Sequence, residues 1–231
     1  MAENRKLFPA PRLIVVALLA GVLAGAVAVY VREAGSGNTP GNQVAAADGP
    51  DDTACAAKAD RARTIAASAT GDVAALLPAD PPQSLKRLSF NGPDGQPMTI
   101  ADLNGQAGTA KTVLLNLWAT WCAPCRAEMP ALDTLQKEMG GDRFEVVAVN
   151  VDTGDDSKPK KFLEETGVTA LGHYRDASMG VFNDLKTRGL ALGLPATMLI
   201  DAEGCLIGHM NGPAEWASPD AKRLIEAALG S

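Results

Sequence analysis

A continuous apolar stretch that leads directly into a pair of closely spaced cysteines constrains the fold of this chain most. Residues 113–118 have the composition of a buried strand, and Cys122 and Cys125 follow within the sequence Trp-Cys-Ala-Pro-Cys. Beyond the pair, apolar residues recur at helical spacing up to two consecutive glycines at 140 and 141. The pattern predicts a strand, a short turn and a helix whose N-terminus faces the first cysteine. Because a helix N-terminus and the Cys-X-X-Cys spacing both lower a thiol pKa, we interpret the pair as a reversible dithiol/disulfide site.

Half of a structural zinc site is the alternative interpretation of a Cys-X-X-Cys pair. Structural zinc takes four ligands, usually as two closely spaced pairs. The other cysteines, Cys55 and Cys205, and the two histidines, His173 and His209, are isolated in the sequence. We therefore expect no metal. We also expect no cofactor, since the chain has no GxGxxG motif after a predicted strand.

The N-terminal region has the features of a membrane anchor. Residues 13–31 carry no charge and follow a basic cluster, so they are just long enough to span a bilayer with the N-terminus in the cytoplasm. A cleaved signal peptide is the alternative, since residues 26–28 form an A-x-A cleavage site. We expect a protein of the inner membrane with a cytoplasmic segment (1–12), a transmembrane signal-anchor (13–31), a flexible linker (32–53) and a periplasmic domain (54–231).

The charge of the exported part excludes one class of partner. Residues 33–231 carry 17 basic and 26 acidic side chains, a net charge of −9. Nucleic-acid binding requires a basic surface, so we expect no nucleic-acid partner. We expect the domain to be a monomer.

Strands and helices are predicted to alternate through the exported domain and to end in a hairpin and a helix. This order favours an α/β fold with a mixed sheet and helices on both faces. The predicted helices cover 54–77, closed by Pro78, then 159–166 with Ser157 as N-cap, 179–185, and a last helix capped by Ser218. The predicted strands are two short ones within 85–100, then 144–150, 196–200 and 205–210.

Two motifs resemble a known family. Residues 117–130, with the sequence LWATWCAPCRAEMP, and residues 193–197, with the sequence GLPAT, are similar to the thioredoxin fold and in particular to TlpA-type membrane-anchored thiol–disulfide oxidoreductases. The resemblance covers about residues 114–212. It implies a thioredoxin fold with an N-terminal helical extension and a helix-plus-strand insert over about 154–176.

The resemblance also implies roles for individual residues. Cys122 corresponds to the attacking cysteine and Cys125 to the resolving one. Pro124 corresponds to the proline that tunes reducing members, and Pro130 to the proline that kinks the active-site helix. Pro195 corresponds to a proline that follows a cis peptide bond and lies against the disulfide.

One position departs from cytoplasmic thioredoxins. Where those proteins carry a buried aspartate six residues before the first cysteine, this chain has Asn116, which cannot titrate. Glu128 lies three residues after Cys125, on the same helical face, and TlpA-type proteins carry a glutamate there. We hypothesise that Glu128 handles the proton of Cys125. The alternative is a solvated acid in the first turn of the helix, favoured by the helix dipole.

The remaining cysteines and the tryptophans have structural interpretations. An even remainder of cysteines in an exported protein suggests a structural disulfide, here Cys55–Cys205, which would pin the N-terminal extension to the edge of the domain. Two free buried thiols are the alternative. We expect Trp118 and Trp121 to pack near the dithiol and Trp216 to pack on the terminal helix.

The sequence thus predicts a reductant of client protein disulfides. The resemblance implies clients in respiratory-chain assembly, either apocytochrome c or the copper-site cysteines of cytochrome oxidase assembly, with a slight preference for the second. It implies recharging by a transmembrane thiol reductant of the CcdA/DsbD kind. The rivals are an oxidase of DsbA type, a peroxidase and a non-enzymatic copper chaperone. The dipeptide between the cysteines lacks the histidine of strong oxidants, and the motifs lack the spacing that a peroxidase or a copper chaperone requires.

Overall fold

The computed structural model describes residues 50–105 and 110–230. The predicted cytoplasmic segment, the predicted anchor at 13–31 and the predicted linker up to residue 49 lie outside these ranges. Among the helices that are described, none combines the length and the apolar composition needed to cross a bilayer.

A mixed eight-stranded sheet forms the centre of the domain, in the order β1-β8-β7-β4-β5-β6-β2-β3. β4 pairs in parallel with β5 and antiparallel with β7, and every residue of β4 and β7 is buried. Strands covered on both faces are expected to be continuous apolar runs, which explains their composition. The strands are β1 (Leu77–Pro78), β2 (Ser89–Asn91), β3 (Pro97–Thr99), β4 (Thr112–Trp118), β5 (Phe144–Asn150), β6 (Tyr174–Arg175), β7 (Ala196–Ile200) and β8 (Leu206–Asn211).

The helices flank this sheet. The last helix begins as predicted, since the Ser218 hydroxyl accepts a hydrogen bond from the Ala221 N–H and Pro219 occupies the first turn. The helices are α1 (Pro50–Ala56), α2 (Ala59–Ala66), α3 (Ile100–Gly105), α4 (Ala123–Met139), α5 (Ser157–Glu165), α6 (Gly180–Thr187) and α7 (Pro219–Leu229), with a 3₁₀ turn at Gly71–Val73.

The N-terminal extension differs from the single helix predicted over 54–77. It starts earlier, because α1 begins at Pro50 within the predicted linker, and it breaks after Ala56 and again after Ala66. Gly71 then adopts a φ of 52°, which glycine tolerates and other residues disfavour. Pro78 belongs to β1, which pairs with β8 at the edge of the sheet. A proline fits there because an edge strand needs fewer backbone donors.

The other differences are small. The residue before α5 that serves as N-cap is Asp156, not Ser157. Helix α3 was not predicted, and the first of the two short strands begins at Ser89. The mixed sheet flanked by helices confirms the predicted thioredoxin fold.

Candidate functional site

Cys122 and Cys125 form a disulfide at the start of α4. Their sulfur atoms are 2.00 Å apart and their Cα atoms 5.3 Å apart. Cys122 is the N-cap of α4, and its Sγ accepts a hydrogen bond of 3.3 Å from the backbone N–H of Cys125. Cys122 retains 6% of its surface exposed and Cys125 none. The first cysteine is therefore the one that another molecule can reach, and its sulfur sits where the helix N-terminus stabilises negative charge.

Residues at the end of β5 and just after it form hydrogen bonds that hold the turn between β4 and the disulfide. The backbone N–H of Thr120 donates to both carboxylate oxygens of Asp152, at 3.0 and 3.2 Å, and Asn150 donates to the same carboxylate. Trp118 is buried and contacts Phe162, with ring centroids 5.6 Å apart. Trp121 is 66% exposed, so the prediction that it packs beside the dithiol is wrong. Trp121 lies in the turn after β4, beyond the buried residues of that strand, so its side chain extends into solvent.

A second loop lies at the same end of the sheet. β4 and β7 are antiparallel with Leu117 opposite Ala196, so the residue before β7 and the residues after β4 share one edge. The residue before β7 is Pro195, and its peptide bond with Leu194 is cis. The side chain of Asn211 fastens this loop, since it accepts from the Leu192 N–H and donates to the Leu190 carbonyl. Leu192 itself is 77% exposed.

Glu128 lies inside the domain, one helical turn beyond Cys125. Only 3% of it is exposed, which contradicts the alternative of a solvated first-turn acid. Asn116 Nδ2 donates to Oε1 at 2.8 Å, while the Trp216 indole N–H and the backbone N–H of Ala214 donate to Oε2, each at 3.2 Å. All three partners are donors, so the carboxylate can be held ionised despite its burial.

Burial raises the pKa of Glu128 to about 7, against the lowering effect of the hydrogen bonds from Asn116, Ala214 and Trp216. A carboxyl group that titrates near neutral pH can both accept and release a proton at working pH. The site thus brings together a disulfide at a helix N-terminus and a buried carboxyl group with a raised pKa on the same helix.

Trp216 was expected on the terminal helix as a packing residue. It is fully buried, but it lies in the turn before α7 and points its N–H at Glu128. The separation of 88 residues between the two leaves no local signal in the sequence that could have identified this contact. Pro124 and Pro130 both lie within α4, the first in its opening turn.

Cys55 and Cys205 form the second disulfide, with Cα atoms 5.3 Å apart, and no cysteine of the chain is left free. The bond joins α1 to the turn before β8. Around it, Lys58 bridges Asp201 and Glu203 at 2.6 and 2.8 Å. The N-terminal extension is thereby tied to the edge of the sheet. Elsewhere in 50–105 and 110–230, no group of three or more His, Cys, Asp or Glu side chains is arranged to hold a metal ion.

The fold and the site define a thioredoxin-like protein with a Cys-X-X-Cys disulfide at the start of a helix. Comparison with known proteins agrees: the family model described as Redoxin matches residues 83–225. The chain belongs to the Redoxin family, and its TlpA-type, thioredoxin-like character fits the relatives found.

Two curated relatives and one solved structure illustrate the similarity. The thioredoxin-like protein YneN of Bacillus subtilis is 36% identical over 129 residues, 54% of this chain and 65% of the relative. The thiol:disulfide interchange protein HelX of Rhodobacter capsulatus is 38% identical over 120 residues, 51% of this chain and 59% of the relative. The crystal structure of a thiol:disulfide interchange protein of the thioredoxin family from Chlorobium tepidum has 26% identity and a TM-score of 0.50, and covers 64% of this chain and 97% of that one. The chain spans less than two thirds of the length of either curated relative.

Proposed function

We propose that this protein is a thiol–disulfide oxidoreductase that reduces disulfides of client proteins. The observation that carries the proposal is the position of Cys122 as the N-cap of α4, where the Cys125 N–H already donates to its sulfur. The same N–H and the helix dipole would stabilise a thiolate at Cys122 once the disulfide is reduced. The names of the relatives, which include thiol:disulfide interchange proteins, support this assignment.

The reaction begins with the reduced protein. The Cys122 thiolate attacks one sulfur of a client disulfide, which forms a mixed disulfide and releases the other client sulfur as a thiolate that takes up a proton. Cys125 then loses its proton and attacks Cys122, which releases the second client sulfur and leaves the Cys122–Cys125 disulfide. Two electrons pass from the protein to the client, and a dithiol donor must return them.

Glu128 is proposed as the acceptor of the Cys125 proton. It lies one turn further along the same helix, and only 3% of it is exposed. Its raised pKa lets it take a proton at neutral pH and return it when the disulfide is reduced again. Asn116, at the position where cytoplasmic thioredoxins have an aspartate, donates to Glu128 rather than titrating itself.

The setting of this chemistry is part of the proposal. We infer an inner-membrane protein with its domain in the periplasm, because residues 13–31 have the length and the flanking charges of an anchor. The family resemblance supports clients with CxxC or copper-site cysteines, in apocytochrome c or in cytochrome oxidase assembly, and a transmembrane donor of the CcdA/DsbD kind.

The direction of electron flow is tested by the reduction potential of the Cys122–Cys125 pair. The purified protein is equilibrated with glutathione or thioredoxin buffers, and a Cys55→Ala/Cys205→Ala variant separates the two disulfides. A potential near or below about −220 mV supports a reductant, and one near about −120 mV would mean that the protein donates disulfides. A Cys125→Ser variant should accumulate the mixed disulfide with a client, and a Cys122→Ser variant should not.

Glu128→Gln tests the proton step. We expect the variant to lose the component of the exchange rate that titrates near neutral pH. Unchanged rates at every pH would exclude the proposed role of Glu128 while leaving the thiol chemistry intact.

A further inference from the structure

The two carboxylate oxygens of Glu128 have different surroundings. Oε2 accepts from Trp216 Nε1 and from the backbone N–H of Ala214, and both of these groups can only donate. Within the described residues, Oε1 accepts from a single partner, the side-chain amide of Asn116. Oε2 therefore has two fixed donors aimed at its lone pairs, and a proton on Oε2 would have to displace at least one of them.

By comparison, the hydrogen-bonding groups around Oε1 can change their orientation. Asn116 Nδ2 also donates to the Thr197 hydroxyl at 3.0 Å, and Asn116 Oδ1 is buried without a hydrogen-bond partner in the described part of the chain. If the Asn116 amide rotates by half a turn, its Oδ1 can accept a hydrogen bond from a protonated Oε1. The Thr197 hydroxyl can then donate to Oδ1 instead of accepting from Nδ2. A proton on Oε1 can thus be accommodated without disturbing Oε2.

We infer that Trp216 is a positioning residue for thiol–disulfide exchange: together with the Ala214 N–H, its indole N–H holds Oε2 of Glu128, so that Oε1 is the oxygen that accepts and releases the proton. The inference rests on the proposed function, because it assigns a role within the exchange that Glu128 serves. Trp216 itself touches neither cysteine in this assignment and acts only through Glu128.

Among the described residues, the groups that hydrogen-bond to Glu128 come from two parts of the chain, β4 and the turn before α7. Asn116 comes from β4 with Thr197 of β7 behind it, Ala214 and Trp216 come from the turn before α7, and Cys125 lies on α4 itself. The causes of the raised pKa are burial and the three donors, with no charged side chain of the described residues among them. In the oxidised protein the cysteines do not titrate, so a titration of Glu128 there reports on its burial and its donors without a contribution from a thiol.

The experiment follows the carboxyl carbon of Glu128 by NMR in the oxidised full-length protein, with Glu128→Gln used to assign the signal. Trp216→Phe removes a donor that favours the ionised form, so the midpoint should rise by about one pH unit, about tenfold in the dissociation constant. Trp118→Phe is the matched control, because Trp118 is equally buried but its indole N–H has no partner among the described residues. This control should leave the midpoint in place.

A second measurement follows the indole N–H signal of Trp216 through the same pH titration. The chain has three tryptophans, so their indole N–H signals can be assigned with Trp118→Phe and Trp121→Phe. The Trp216 signal should shift with the same midpoint as Glu128 and should lose that titration in Glu128→Gln. An invariant Trp216 signal, or a Trp216→Phe midpoint equal to that of wild type, would overturn the inference.

Exchange kinetics separate this inference from the proposed function. If both hold, Trp216→Phe moves the pH midpoint of the exchange rate upward, and it causes no further shift in a Glu128→Gln background. If the NMR midpoint moves but the exchange rate of Glu128→Gln equals wild type at every pH, the positioning contact stands and the proton role of Glu128 falls.

Discussion

Asn116 on β4 and Glu128 on α4 are joined by a hydrogen bond of 2.8 Å in the interior of the domain. The two residues lie where the sheet and the active-site helix face each other, and both are almost completely buried. A buried carboxylate is costly unless donors surround it, and here donors from the sheet and from the turn before α7 do so. The site therefore depends on three parts of the chain that are distant in sequence.

The stability of the oxidised protein should fall as pH rises through neutrality because of Glu128. Its pKa is raised from 4.5 to about 7, so between these values the folded state binds a proton that the unfolded state has lost. The contribution of Glu128 to the free energy of unfolding is fully present below about pH 4.5 and is lost as pH rises through about 7. The total loss is on the order of 3 kcal/mol. Urea unfolding of wild type and Glu128→Gln from about pH 5 to pH 8 measures this difference.

The control for this prediction is Glu138→Gln on the same helix. Glu138 is about half exposed and pairs with Lys222, so its replacement should change the free energy of unfolding by less than about 1 kcal/mol at every pH. If wild type and Glu128→Gln keep a constant difference across the pH range, Glu128 is not the titrating group.

Removal of the Cys55–Cys205 disulfide should destabilise the domain without abolishing exchange. The bond closes a loop with a sequence separation of 150, and loss of such a bond costs about 2–5 kcal/mol. The double variant Cys55→Ala/Cys205→Ala should unfold at lower urea, while Cys122 and Cys125 keep their reduction potential. The denatured, oxidised wild type should contain no free thiol, and a count of two or more would contradict the bond.

The parts of the fold that sequence analysis predicted well are those determined by local composition. The bounds of β5 and β7 match the predicted strands at 144–150 and 196–200, because strands buried on both faces are mostly apolar and stand out in the sequence. Strand β1 has only two residues, one of them a proline, and exists because β8 pairs with it more than a hundred residues later. No propensity of Leu77–Pro78 could have indicated it.

The same distinction applies to the site. The Cys-X-X-Cys pair and the helix that follows it are adjacent in sequence, so their chemistry could be inferred from spacing. The environment of Glu128 could not, because two of its three partners lie 86 and 88 residues further along the chain. Sequence reasoning left Glu128 open between a proton carrier and a solvated acid, and only its burial decides against the second.

Asp133 should be essential for the attachment of the segment after α5 to the active-site helix. This buried carboxylate accepts from the backbone N–H groups of Thr169 and Ala170, at 2.9 and 2.6 Å, and pairs with Lys137. Burial opposes ionisation, but the hydrogen bonds from Lys137, Ala170 and Thr169 prevail and lower the pKa of Asp133. Its contribution to stability is therefore present above about pH 4 and is lost as pH falls below that.

Asp133→Ala should lower the free energy of unfolding at neutral pH by about 1–3 kcal/mol, because it removes the acceptor of two part-buried backbone hydrogen bonds. Lys137→Met is the control that removes only the half-exposed ion-pair partner, and it should cost less than about 1 kcal/mol. Equal losses in the two variants would show that the ion pair, and not the backbone contacts, accounts for the stabilisation. Urea unfolding near neutral pH and below about pH 4 compares them.

Trp121 should contribute to exchange with protein clients but not with small disulfides. It is 66% exposed beside Cys122, and an exposed large aromatic ring next to a reactive group is typical of a protein-binding surface. Trp121→Ala should lower kcat/KM for reduction of a protein disulfide by about tenfold, because contact area is lost in the mixed-disulfide complex. Reaction with oxidised glutathione should be unchanged, since that small molecule needs little beyond the sulfur. Leu77→Ala, at a residue 58% exposed on edge strand β1, is the matched control and should alter neither reaction. A parallel loss with both substrates would instead place Trp121 in the chemistry of Cys122 itself.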